Sequence, residues 1–157
     1  MQKMERIKII GVDISVVNFN SAQKYLFDNF EEARGHYICA ANVHTTVTAH
    51  ENSNYREVQN NSFMTLPDGK PLSVVGKKRG KSSMGRVTGP DFLEEVLKRT
   101  ENTEVKHYFY GTTQENLDSF ISAVKKSYPN LKIVGVEPSV FRSLTVKEED
   151  ELLERIS

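Results

Sequence analysis

Cysteine is almost missing from this sequence, and so is any surplus of charge. The single thiol, Cys39, sits in an apolar stretch, so no intramolecular disulfide framework can form. A reducing compartment is the expectation. Basic and acidic residues balance at 21 each, so no global field draws the chain to nucleic acid or to anionic lipid. No stretch approaches the ~18–20 apolar residues of a membrane span. The opening "MQKMERIKIIGVDIS" holds an apolar run of about four residues before Asp13, too short for a signal-peptide core. A cytoplasmic chain is expected.

Several ligand signatures are missing as well. "GVDISVV" carries one glycine where a dinucleotide fold would need G-x-G-x-x-G after its first strand. No G-x-x-x-x-G-K-[ST] is present, which removes the common P-loop. No D-x-D pair offers the usual grip of a nucleotide-sugar enzyme on a divalent cation. His36, His44, His50 and His107 lack metal-ligand spacing, and each reads more simply as a hydrogen-bonded structural residue. Neither a metal site nor a cofactor is expected.

What remains is a regular alternation. The chain has 157 residues, 38% hydrophobic and 27% charged, which suits one soluble globular domain. "IKIIGVDIS" (7–15) reads as a strand or hairpin, and Asn20-Ser21-Ala22-Gln23 resembles a capping box opening a helix to about residue 33. "HYICAAN" (36–42) and "SFMTL" (62–66) read as strands around two short helices at 44–51 and 54–61. "PLSVVGKK" (71–78) and "GPDFLEEVLKRT" (89–100) read as helices, the second with Pro90 and Asp91 at its positive end. "VKHYFYG" (105–111) and "LKIVGVE" (131–137) complete the strands. A Thr112–Glu115 box opens a helix to about Ser127. Thr145 and Glu148 open an amphipathic last helix with Leu152, Leu153 and Ile156 on one face. Strands separated by helical crossovers predict an α/β fold, a Rossmann-like, mostly parallel sheet with helices on both faces.

In such sheets ligands bind beyond the carboxyl ends of the strands. Asn42, His44 and Thr45, Asp68 and Gly69, and Gly111 and Thr112 all occupy such positions. "TLPDGKPLS" (65–73) puts an isolated carboxylate between Pro67 and Gly69. Pro-Asp-Gly is good turn chemistry; on a parallel sheet the same Asp68 would instead face a crevice. The basic segment "KKRGKSSMGR", with Lys77, Lys78, Arg79, Lys81 and Arg86, reads as a solvated loop or as an attractor of a diphosphate or a phospholipid head group. Arg86 stands apart because "RVTGPD" leads into a helix N-terminus, where a guanidinium and free N–H groups suit a phosphate.

Together, "AANVHT" (40–45), "LPDGKPL" (66–72), "RVTGPDF" (86–92) and "FYGTTQENL" (109–117) resemble the bacterial WecG/TagA/CpsF glycosyltransferase family over residues 8 to 157. The resemblance implies a single glycosyltransferase domain, 1–157, that moves a sugar, N-acetylmannosamine or a related hexose, from a UDP-sugar to an undecaprenyl-diphosphate-linked sugar. The transfer would be inverting and metal-independent and would serve teichoic acid or other cell-surface polysaccharide synthesis at the inner face of the cytoplasmic membrane. It implies Asp68 as general base, and Asn42, Thr45, Gly69, Arg86, Gly89, Asp91, Gly111 and Thr112 as substrate-binding residues. Family members commonly carry a threonine where this sequence has Ala40, so Thr45 or Thr46 is expected to supply a hydroxyl instead. They also continue into a further strand block and a basic membrane-binding tail. The expectation is therefore a C-terminally truncated chain with an uncovered sheet edge and a tendency to homo-oligomerise.

The chemistry has a physical rationale. Inverting transfer is one displacement, in which the acceptor hydroxyl loses its proton as it attacks the anomeric carbon and UDP leaves. A partly desolvated carboxylate at a strand tip suits the base, and an arginine with helix N-termini suits the leaving group. The alternative is a non-catalytic nucleotide-sugar-binding or regulatory domain of the same fold.

Overall fold

The computed structural model describes residues 4–156 of the chain, which form a mixed α/β fold with seven helices and six strands among those residues. They divide into two compact units, one running to Glu95 and the other beginning at Val96.

The first unit opens with a hairpin, β1 (Arg6–Ile9) and β2 (Val12–Ser15), paired antiparallel with Ile9 opposite Val12. Its two-residue turn puts Ile10 at φ 41° and Gly11 at φ 96°, the doubly left-handed geometry that matches strand twist. Glycine meets that demand freely, whereas Ile10 does so with strain.

Helix α1 (Phe19–Asp28) starts earlier than the Asn20 box suggests. Asn18 is the cap: its Oδ1 accepts from the Ser21 N–H at 3.0 Å, and its own N–H donates to Ser21 Oγ at 2.9 Å. The helix also ends at Asp28 instead of residue 33. Asn29 closes it, with Nδ2 donating to the Tyr25 carbonyl at 2.8 Å, and turns follow to Gly35 at φ 72°.

Strand β3 (Ile38–Ala41) leads into α2 (Val43–Glu51) and α3 (Ser53–Asn60), and β4 (Met64–Pro67) leads into α4 (Lys70–Lys78). The two strands pair parallel, Ile38 opposite Met64 and Ala41 opposite Pro67. All four residues of β4 are buried, as expected of a strand covered on both faces. Strand β2 lies against β4, where Ser15 Oγ accepts the Thr65 N–H at 3.0 Å. Hydrogen-bonded ladders thus form separate two-stranded pairs, and a serine side chain stands where a continuous sheet would use a carbonyl.

Ile9, Val12, Ile14, Ala41, Ala49, Leu72 and Met84 form the core beneath these strands. Each large side chain so buried contributes about 1.5–3 kcal/mol. Helix α5 (Gly89–Thr100) runs from the first unit into the second.

The second unit pairs β5 (Lys106–Tyr110) parallel with β6 (Lys132–Glu137) around α6 (Gln114–Ser127). Leu97, Val124 and Leu131 are its buried core, with Phe109 and Ile133 packed on them. The Thr112–Glu115 box is not the observed cap of α6; Thr113 is, its side chain accepting from the Asn116 N–H. Helix α7 (Val146–Ile156) opens on the expected Thr145–Glu148 box. No α7 residue is buried, and Leu153 on its apolar face is 57% exposed. A bidentate pair from Arg155 to the Glu137 carboxylate, at 2.9 and 2.7 Å, holds the helix to the end of β6.

Candidate active site

Parallel pairing sends the chain out of β3 and β4 at the same edge. Ala41 and Pro67 are register partners, so Asn42 and Asp68 are the next residues along adjacent strands. The Asp68 N–H donates to the Ala41 carbonyl at 2.9 Å. Gly69 packs so closely that a Cβ there would lie 3.4 Å from Asn42 Cα. Two helix N-termini, those of α2 and α4, therefore start side by side.

A third segment joins them. The Gly85 N–H donates to the Val17 carbonyl at 2.9 Å, and the Val87 N–H to the Pro67 carbonyl at 3.0 Å. Met84 anchors this segment in the core at Gly76 of α4, where a Cβ would come within 2.1 Å of the Met84 sulfur. The anchoring leaves Arg86 exposed at the tip of β4, with its Nε donating to the main-chain carbonyl of Asp68 at 2.8 Å. Of the five basic residues in 77–86, Arg79 instead donates to the Lys8 carbonyl and Lys81 pairs with Glu5. Lys77 and Lys78 are exposed on the last turn of α4.

Asp68 is half-buried, and its carboxylate makes no hydrogen bond or ion pair to any described residue. Gly89 opens α5 beside it: a Cβ at Gly89 would lie 3.9 Å from Asp68 Oδ2 and 3.3 Å from Ala40 Cβ. Asp68, Gly69, Arg86 and Gly89 thus gather at one edge with Asn42.

The polar residues expected to bind substrate are partly committed elsewhere. Asn42 Oδ1 accepts the Thr45 N–H at 3.0 Å, while Thr45 Oγ1 accepts the Asn42 N–H and donates to the Asn42 carbonyl. This reciprocal box leaves the Asn42 Nδ2 amide for a ligand. The hydroxyl expected from Thr45 or Thr46 is not free, because Thr46, fully buried, also donates to the Asn42 carbonyl at 2.6 Å. His44 lies exposed in the first turn of α2.

Asp91 is exposed in the first turn of α5, where a carboxylate favours the positive end of the helix. The α5 N-terminus itself has little left to offer an anion. Pro90 has no N–H, the Asp91 N–H is satisfied by Thr88 Oγ1 at 3.2 Å, and the Phe92 N–H by the Thr88 carbonyl at 3.0 Å. Thr88 is a cap that sequence reasoning passed over, although a threonine just before Gly-Pro-Asp carries that signal.

Gly111 and Thr112 belong to the second unit, at the carboxyl end of β5. Gly111 adopts φ 137°, and Thr112, a β-branched residue, adopts φ 51°. Left-handed backbone costs such a residue about 1–3 kcal/mol, and the surroundings enforce it. The Gly111 N–H donates to the Glu137 carbonyl, the Ser139 N–H to the Thr112 carbonyl, and Asn116 Nδ2 to Thr112 Oγ1.

Three histidines and the cysteine make contacts within the fold. His36 stacks near Phe63, His50 Nδ1 lies 2.9 Å from the Ile10 carbonyl, and His107 Nε2 lies 2.8 Å from Thr100 Oγ1. Thr100 Oγ1 also lies 2.7 Å from the Val96 carbonyl, to which its hydroxyl can donate. Burial pushes the His107 pKa below the usual histidine value. Burial likewise pushes the half-buried Cys39 thiol up, against a lowering by Ser62, which favours an unreactive thiol. Among the described residues no group of three or more His, Cys, Asp or Glu could hold a metal ion, and no helix is long and apolar enough to cross a membrane.

A family model described as the Glycosyl transferase WecG/TagA/CpsF family matches residues 7–157. Two curated relatives share the name N-acetylglucosaminyldiphosphoundecaprenol N-acetyl-beta-D-mannosaminyltransferase. The one from Bacillus spizizenii strain W23 is 25% identical over 146 residues, covering 93% of this chain and 54% of the relative. The one from Bacillus subtilis strain 168 is 23% identical over 130 residues, covering 82% and 51%. The chain spans about half the length of the curated relatives it matches.

Proposed function

Since the chain belongs to the WecG/TagA/CpsF glycosyltransferase family, we propose that it transfers a sugar, N-acetylmannosamine or a related hexose, from a UDP-sugar to a lipid-diphosphate-linked sugar. The reaction inverts the anomeric centre, needs no metal ion, and serves cell-surface polysaccharide or teichoic acid synthesis. The observation that carries this reading is the pairing of groups at the β4 tip. An unpaired carboxylate, Asp68, sits beside an arginine that holds its backbone and keeps both Nη groups for a ligand.

Asp68 accepts the proton of the acceptor hydroxyl as that oxygen attacks the anomeric carbon. The bond to the UDP oxygen breaks on the opposite face, so one displacement inverts the centre. Arg86 neutralises the charge that develops on the departing diphosphate. The Asn42 Nδ2 amide donates to a sugar or phosphate oxygen. In the second unit, the Gly111–Thr112 turn carries left-handed backbone strain of the kind held at ligand-binding loops. A lipid-linked acceptor confines the reaction to a membrane face, the cytoplasmic one if the donor is a cytosolic UDP-sugar.

The names of both relatives support the acceptor class, a diphosphoundecaprenol-linked N-acetylglucosamine. The deciding experiment incubates the protein with UDP-N-acetylmannosamine and that acceptor and reads the disaccharide-lipid by mass spectrometry. UDP binding without product would favour the non-catalytic alternative.

A further inference from the structure

We propose that Ala40 and Gly89 frame the notch through which the acceptor hydroxyl reaches Asp68, and that Gly89 is a determinant of acceptor selectivity. The inference rests on Asp68 being the base. A Cβ on Gly89 would lie 3.9 Å from Asp68 Oδ2 and 3.3 Å from Ala40 Cβ. A hydroxyl that surrenders its proton to Oδ2 must come within about 2.5–3.0 Å of it. A methyl group in van der Waals contact with that oxygen occupies the same approach. The bare backbone of Gly89 therefore keeps this side of the carboxylate open.

The backbone that carries the carboxylate is held in place: the Asp68 N–H donates to the Ala41 carbonyl, and the Asp68 carbonyl accepts from Arg86 Nε. Ala40 is exposed at the end of β3, while Ala41 beside it is fully buried. The Ala40 methyl consequently forms the wall of the notch and not part of the core. The smallest side chains stand at both positions, so the substituent carried next to the attacking hydroxyl sets how well an acceptor fits.

Helix formation does not require glycine at position 89. Its φ lies outside the left-handed region, Thr88 supplies the cap through main-chain groups of Asp91 and Phe92, and alanine is the better helix former. Gly89→Ala should therefore fold, with only the 3.3 Å contact to Ala40 to relieve.

The test compares wild type, Gly89→Ala, Gly89→Ala with Ala40→Gly, and Asp68→Asn, using a short-chain lipid-diphosphate N-acetylglucosamine as acceptor. Gly89→Ala should raise the acceptor KM by about 10–200-fold, the span one methylene commands in a fitted site, with UDP affinity by calorimetry unchanged. The double variant should not recover, because the added methyl still faces Oδ2. An unchanged acceptor KM, or recovery when Ala40 is trimmed, overturns the proposal, since recovery would trace the defect to the Ala40 contact. Asp68→Asn reports separately: turnover near wild type there overturns the base assignment itself.

Discussion

Arg86 grips Asp68 by its main-chain carbonyl, at 2.8 Å from Nε, and leaves the carboxylate alone. Had the guanidinium paired with Oδ1 and Oδ2, it would occupy the lone pairs that a base needs to accept a proton. The observed contact fixes the backbone of the strand tip while the acid stays available. The two Nη groups of this exposed side chain make no hydrogen bond or ion pair to any described residue.

Asp68→Asn removes the proposed proton acceptor and keeps the size of the side chain. Transfer should fall by roughly 10²–10⁴, the usual worth of a positioned base, with UDP affinity retained. Product formation measured alongside UDP calorimetry checks both halves.

Arg86→Ala removes the tether on Asp68 together with the cation. UDP binding should weaken by roughly 10–100-fold, as expected for a lost charge-assisted hydrogen bond. Arg86→Lys should restore only part of it, because an ammonium cannot reproduce the planar fork. Titration calorimetry with UDP on the three proteins ranks them.

Transfer should persist in EDTA if, as proposed, Arg86 supplies the positive charge that a cation would otherwise bring to the diphosphate. Loss of product in chelator, with recovery on adding Mg²⁺ or Mn²⁺, would show that the charge comes from a metal.

Gln23, 1% exposed on α1, donates from Nε2 to the Phe92 carbonyl at 3.1 Å, while its Oε1 has no partner. Gln23→Met keeps the bulk, loses the bond and removes the orphan oxygen. The two effects oppose each other, so the urea midpoint should change by the equivalent of about 1 kcal/mol or less. A markedly larger loss would mean that the first turn of α5 depends on this one donor.

His107 makes stability pH-dependent in a stated direction. Burial lowers its folded pKa below the reference 6.5, so the neutral form is favoured on folding. Its contribution is complete above pH 6.5 and is lost as pH falls through the folded pKa. His107→Gln should flatten that part of the acid limb when urea midpoints are compared between pH 7.5 and 5.

Much of the architecture was legible in sequence because its causes are local. Pro67-Asp68-Gly69 after an apolar run marks a strand end, and Thr145 with Glu148 marks a helix start. A few residues of hydrophobic pattern and capping chemistry suffice for each. The start of α1 was misplaced by two residues for the same reason: Asn18 and Asn20 are both good caps, and the fold chose the one whose side chain reaches Ser21 and Ser83. The exposed α7 shows the limit of periodicity. An amphipathic pattern names a face but not what covers it.

The sequence by itself determined the order of elements, the α/β class, the family and the residues that crowd one strand edge. Only tertiary structure decided how those residues are used. Asn42 and Thr45 spend most of their polar atoms capping α2, and Thr112 is forced left-handed by bonds from Ser139 and Asn116. Arg86 meets the backbone of a residue 18 positions away, and Gln23 meets one 69 positions away. The reason is range. Backbone propensity and capping act over three or four residues, whereas the partner of a long side chain depends on which distant segments the buried core brings within 3 Å of it.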